Sequence, residues 1–149
     1  MLESQYDSIK ELCYKNYSRR NLAHVLKVEE YIMNEGLYAL VPEDMQFQLR
    51  AVALGHDLLE DTKCTLQSIK DIDPACAQQI LSLTKTNDTD YLDYINFIFS
   101  DLNDMVVKMV KICDMKDHLA RKETLTEKLE RKYKPAVEVI YHYFFKGVS

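Results

Sequence analysis

The chain has 149 residues, the length of one ordinary domain, and can bury roughly two-thirds of the surface its unfolded form exposes. Hydrophobic residues make up 47% and charged residues 29%, which argues against both a disordered chain and a membrane-embedded one. With 19 Lys and Arg against 24 Asp and Glu, the formal charge is -5, so a general nucleic-acid binder, which needs a net basic face, is not expected. The opening MLESQYDSIK carries two acids and no apolar core and does not read as a secretory signal. No run approaches the ~18 apolar residues of a membrane-spanning helix. The expectation is a soluble, cytoplasmic protein with a single domain over residues 1–149.

Only 3 Gly and 3 Pro punctuate the chain, and long runs of alternating polarity are missing, so the predicted class is all-α. Tyr6, Ile9, Leu12 and Cys13 carry the first helical stripe, and Leu22, Val25, Leu26 and Ile32 the second, which Glu35-Gly36 closes. Pro42-Glu43-Asp44 opens a third helix running through Phe47, Leu49, Val52 and Leu58. Asp73-Pro74 starts a fourth that carries Cys76, Ile80, Leu81 and Leu83. Further helices are predicted from Tyr91 to about Leu102, from Asp104 to about Leu119, and from about Thr126 to Phe145, the last kinked at Pro135. Cys13, Cys64, Cys76 and Cys113 form no C-x-x-C pair, so neither a zinc knuckle nor a disulfide framework is expected, and Cys113 reads as a buried small hydrophobe.

The chemistry concentrates in RAVALGHDLLEDT, residues 50 to 62. On a helix, His56 and Glu60 share one stripe at i, i+4 and Asp57 and Asp61 the next. Three carboxylates at a helix C-terminus are each disfavoured by roughly 0.3–1 kcal/mol, and more beside an apolar run, unless a cation compensates. A divalent metal would do so, whereas the bland alternative is a solvated helix end. DMVVKMVKICDMKDH, residues 104 to 118, is apolar nearly all round and embeds Asp114, whose partner is either a metal or Lys111 one turn earlier. Three ligands are too few, and His24, in a helical stretch upstream, is the candidate fourth, although a lone helical His is more often structural than a ligand. His142, among Tyr141, Tyr143 and Phe144, reads as packing, although that aromatic patch could also serve a homo-oligomer face.

Together, His24, His56-Asp57 and Asp114 in an all-α chain resemble the HD superfamily of metal-dependent phosphohydrolases. LGHDLLEDT is similar to the LLHDVVEDT-like metal helix of the RelA/SpoT-type alarmone hydrolases. SLTKTNDTDYLDYI matches their V/L-T-K/R segment with its Tyr-rich helix, and MVKICDMKDHL their VKLAD-type helix. The resemblance spans roughly residues 20 to 145. It implies an HD-domain helical bundle in which His24, His56, Asp57 and Asp114 bind one divalent ion, most naturally Mn²⁺, and Glu60 and Asp61 position and deprotonate the attacking water. It implies further that Lys111 contacts phosphate and that Thr62, Lys85, Tyr91 and Tyr94 fall in pocket-lining segments. The implied substrate is a small phosphorylated molecule, a guanosine nucleotide such as guanosine tetraphosphate, which a chain ending at Ser149 without a synthetase domain would only degrade.

Two segments depart from that pattern. The loop before the first ligand is only NYSRRNLAH, where the group carries a longer Arg-Lys-Ser-Gly-x-Pro-Tyr element, leaving Arg19 and Arg20 as candidate replacements. Met115-Lys116-Asp117-His118 stand where the group has R-L-H-N, so His118 occupies the place of a nucleotide-contacting Asn. The departures keep open a phosphohydrolase for another nucleotide or phosphoester, and a non-catalytic nucleotide-sensing module.

Overall fold

The structure is a computed structural model that describes residues 1–34, 37–121 and Pro135. Every regular element among the described residues is helical, as the composition predicts. α1 (Glu3–Asn16) buries Tyr6, Ile9 and Cys13 on one face, and α2 (Arg19–Asn34) buries His24, Val25, Val28 and Ile32. Two 3-10 turns (Leu37–Leu40 and Glu43–Met45) lead into α3 (Gln46–Gly55), followed by the single turn α4 (Leu58–Asp61). α5 (Leu66–Lys70), α6 (Pro74–Leu83), α7 (Tyr91–Phe99) and α8 (Met105–Ala120) complete the described fold. Aspartates start three of these helices. Asp73 accepts from Ala75 N, Asp90 from Leu92 N and Asp104 from Val107 N, each satisfying an otherwise orphaned first-turn donor.

α3 is the central element and packs against α1, α2, α6 and α8. Its residues Ala51, Val52, Ala53, Leu54 and Gly55 are all buried, the mark of a helix enclosed on every side. The small residues let neighbours approach. A Cβ added at Gly55 would lie 2.7 Å from Ile80 Cδ1, so the glycine is required by the closeness of α6. Val25, Val28, Ile32, Leu49, Leu54, Ile80, Val106 and Val110 fill the interior with no exposed surface, each stabilising the fold by roughly 1.5–3 kcal/mol of side-chain burial. A polar chain runs along the edge of this core: Gln48 Nε2 donates to Gln79 Oε1 at 2.7 Å, and Gln79 Nε2 to Asp104 Oδ2 at 2.8 Å.

Spacing predicts a third helix that runs through Leu58, and the structure breaks it. It ends at Gly55, and His56-Asp57 form a turn before α4. The reason lies in captured carbonyls. In an unbroken helix Asp57 N would donate to Ala53 O and Leu58 N to Leu54 O. Instead His56 Nδ1–H donates to Ala53 O at 2.7 Å, and Tyr17 Oη–H donates to Leu54 O at 2.8 Å. Asp57 N is turned onto the same Tyr17 oxygen at 3.2 Å. The i, i+4 stripes of His56 and Glu60 are thereby replaced by a bend that presents His56 and Asp57 to one side.

Smaller differences have local causes. α7 stops at Phe99 rather than near Leu102, because Ser100 N, Ser100 Oγ and Asn103 Nδ2 all bond the Phe97 carbonyl. α5 is too short for a periodic signal and rests on its Thr65 cap, which accepts from Ser68 N. Leu81, assigned to the core by spacing, is 41% exposed. The Glu35-Gly36 stop and the Thr126–Phe145 segment, with His142 and its aromatic neighbours, lie outside the described residues, Pro135 excepted.

Replacing Tyr17 with Phe removes the hydroxyl that holds the turn, taking the partner of Asp57 N and leaving the Leu54 carbonyl only the weak Cys13 thiol donor. Urea unfolding should show a loss of about 1–3 kcal/mol. An unchanged midpoint would mean that the turn holds itself.

Candidate metal centre

Packing of α2 and α3 against α8 brings His24, the His56-Asp57 turn and Asp114 to one point. Asp114 Oδ1 lies 2.8 Å from His24 Nε2, 3.4 Å from His56 Nε2 and 3.2 Å from His118 Nε2. Asp57 Oδ2 lies 3.3 Å from His56 Nε2 and 3.6 Å from His24 Nε2. The four residues singled out as ligands, distant in sequence, are therefore neighbours in space.

Hydrogen bonding decides which ring nitrogens face inward. His56 Nδ1 meets a carbonyl, which only accepts, so Nδ1 carries the proton and Nε2 of the neutral ring is a bare lone pair. That Nε2 is buried with no hydrogen-bond partner among the described residues, and it faces two carboxylates. His24 has a carboxylate at each ring nitrogen, Asp117 Oδ2 2.6 Å from Nδ1 and Asp114 Oδ1 2.8 Å from Nε2; in the tautomer with the proton on Nδ1, Nε2 turns its lone pair toward Asp114. Two inward lone pairs opposite two carboxylate oxygens repel unless a cation sits among them. Ligand bonds of about 2.0–2.2 Å place adjacent donors about 3 Å apart, the spacing of this cluster. The donor set therefore fits a divalent ion. Without one, the imidazoles must carry the positive charge. Burial pushes His56 down, but Asp57 and Asp114 overcome it and hold the ring up at about 9. His24 is raised by the same balance, burial being overcome by Asp114 and then Asp117. For Asp114, burial would raise the carboxyl, yet Lys111 and the three imidazoles hold it well below the usual carboxylate range.

Around this point opens a cleft of about 270 Å³. Glu60 and Asp61 stand in its exposed mouth, and their carboxylates cluster with that of Asp57 within 4.8 Å. Partial desolvation by the cleft walls raises both acids above their ordinary values, and Asp57 adds to the shift. Glu60 Oε1 accepts from Lys85 N at 2.8 Å, tying the α6–α7 loop to the acidic pair. Arg20, Lys85, Lys111 and Arg121 supply cations to the lining, and Tyr91 and Tyr94 supply rings.

Several expected positions make contacts that their assignments did not include. Lys111 is buried with Nζ 2.8 Å from Asp114 Oδ2 and 5.0 Å from the centre of the Tyr94 ring, so its charge is committed to that carboxylate. Thr62 is absent from the cleft lining; its hydroxyl donates to Leu58 O at 2.5 Å and accepts from Cys64 N, which makes it part of the turn after α4. His118 turns toward Asp114, its ring 4.6 Å from that of His24. The residue that sequence reasoning missed is Asp117. It is 3% exposed and bonds both His24 Nδ1 and Arg121 Nε. Its signal was present: three residues after Asp114, it falls on the same side of an otherwise apolar helix.

Asp117 should orient and polarise His24. Asp117→Asn is expected to weaken divalent-cation binding by about 10–100-fold in calorimetry, with the helical circular dichroism retained. Unaltered affinity would make the contact purely structural.

No family model matches the chain, and no curated protein matches it by sequence. Among solved structures it is similar to a metazoan ortholog of SpoT described as hydrolysing ppGpp and playing a role in starvation responses. The two share 14% identity at a TM-score of 0.69, over 96% of this chain and 86% of that one. The resemblance first carried by HDLLEDT thus extends to the course of the backbone, and the chain has the all-α fold of that hydrolase.

Proposed function

We propose that this protein is a metal-dependent phosphohydrolase that removes pyrophosphate from guanosine tetra- or pentaphosphate. The observation that carries the reading is the adjacency of two environments: an inward-facing His/Asp cluster fitted to a divalent ion, and the acidic pair Glu60-Asp61 opposite it in a cleft rimmed by cations. The likeness in fold to a ppGpp-hydrolysing protein supports the substrate class.

In this reading His24, His56, Asp57 and Asp114 hold the ion, most naturally Mn²⁺, which supplies Lewis-acid polarisation of phosphoryl oxygens and acidification of water. Glu60 and Asp61 orient the attacking water and accept its proton, a task suited to carboxylates raised above their ordinary range. The new bond joins water oxygen to phosphorus, and the bond to the ribose 3′ oxygen breaks, releasing pyrophosphate. Arg20 and Lys85 meet the outer phosphate oxygens, and Tyr91 and Tyr94 line the wall beside them. Lys111 acts by fixing Asp114 and reaches phosphate only if that pair opens.

A second reading keeps this chemistry and changes the substrate to another phosphorylated nucleotide. It is favoured by His118, which faces Asp114 at the position where the alarmone hydrolases carry a nucleotide-contacting Asn.

Purified protein with Mn²⁺ and guanosine tetraphosphate is expected to release pyrophosphate. The Glu60→Gln/Asp61→Asn double variant should be slower by about 100- to 10,000-fold while still binding metal. Metal-loaded wild-type protein that leaves guanosine tetraphosphate intact but cleaves another nucleotide in a panel would select the second reading. Turnover undiminished in the double variant would remove the assigned water-activating pair.

A further inference from the structure

We infer that His118 is a fifth protein ligand of the metal centre, turning it into a three-imidazole, two-carboxylate site that prefers Zn²⁺ or Co²⁺ to Mn²⁺. The inference rests on the metal centre proposed above and changes its composition. His118 lies one helical turn after Asp114 on α8, so both side chains project toward the same side. Its Nε2 is 3.2 Å from Asp114 Oδ1, closer than His56 Nε2 at 3.4 Å and only slightly farther than His24 Nε2 at 2.8 Å. Ligand atoms of His24, Asp114 and His118 lie within 4.8 Å of one another, as do those of His24, His56 and Asp57. The two triads share His24, and Asp114 Oδ1 is near all three imidazoles, so an ion bound beside them would have both triads at hand.

The surroundings favour coordination over nucleotide contact. The His118 ring lies against the His24 ring with centroids 4.6 Å apart and planes tilted by 34°, which aligns the two Nε2 atoms with the same carboxylate oxygen. An asparagine at 118 would bring a weaker amide donor to this position; an imidazole brings a nitrogen of the same kind as the other two. Imidazole donors suit the later divalent metals, whereas carboxylate-rich sets suit Mn²⁺. The side chain is 40% exposed, which puts His118 at the solvent side of the cluster.

The test uses metal-free protein labelled with ¹⁵N-histidine. Ring-nitrogen spectra are recorded before and after one equivalent of Zn²⁺, for wild type and for H118N. Three rings should move to metal-bound positions in wild type and two in H118N. Calorimetry should show Zn²⁺ affinity lower by about tenfold or more in H118N, at least the loss expected for an outer-shell partner, with Mn²⁺ affinity falling less. H118Q should behave like H118N, which separates loss of the imidazole from a local packing defect. If the rings of His24 and His56 move while that of His118 does not, the inference is wrong and the four-ligand centre stands. If no ring moves at saturating Zn²⁺, the metal centre itself is refuted and the inference with it.

Discussion

A carboxylate withdrawn from water costs several kcal/mol unless positive charge surrounds it, and the carboxylate of Asp114 is withdrawn to 4% exposure. The arrangement of the described helices around it answers that one demand. Lys111 takes one oxygen from within α8, and imidazoles from α2, from the turn after α3 and from α8 itself converge on the other. Removing any of these contributors leaves negative charge in a low-dielectric interior, so the site and the packing of three elements are coupled. The same geometry leaves Asp57 sharing the imidazoles with Asp114, an excess of negative charge that a divalent ion relieves.

The bend at His56-Asp57 lets a helix in the middle of the core present polar ligands. Uninterrupted, α3 would carry His56 and Asp57 onward around its axis. Capture of the Ala53 and Leu54 carbonyls by His56 and Tyr17 stops it at the point where the ligands face α2 and α8. Tyr17, at the end of α1, is thus a structural prerequisite for the centre although it lies outside the cleft lining. α4 then carries Glu60 and Asp61 into the mouth, a few ångströms from the ligands yet open to solvent.

Much of this was legible in the residues. The all-α class followed from scarce Gly and Pro, and the helix starts read at Asp73-Pro74, Tyr91 and Asp104 fall within a residue of those observed, where aspartate caps hold them. A buried Asp114 in an apolar helix called for a partner, and the grouping of His24, His56, Asp57 and Asp114 as one ligand set came from the resemblance to the HD superfamily. What stayed hidden depends on contacts between distant segments. Nothing near residue 56 signals that a tyrosine some forty positions earlier will break the helix, and Asp117 gains its meaning only when His24 is packed against it. Thr62 was assigned to the pocket by its neighbours in sequence, while its hydroxyl is spent inside its own turn. His118 was read through the residue it replaces, and its closeness to Asp114 emerges only once α8 is folded.

The central claim is that His24, His56, Asp57 and Asp114 surround one divalent ion. Anomalous diffraction from crystals grown with Zn²⁺, recorded on both sides of the metal absorption edge, tests it most directly. The account predicts a peak enclosed by the two Nε2 atoms and the two carboxylates, about 2.0–2.2 Å from each ligand atom. Density confined to Glu60 and Asp61, or no peak within the cluster at saturating metal, would contradict it.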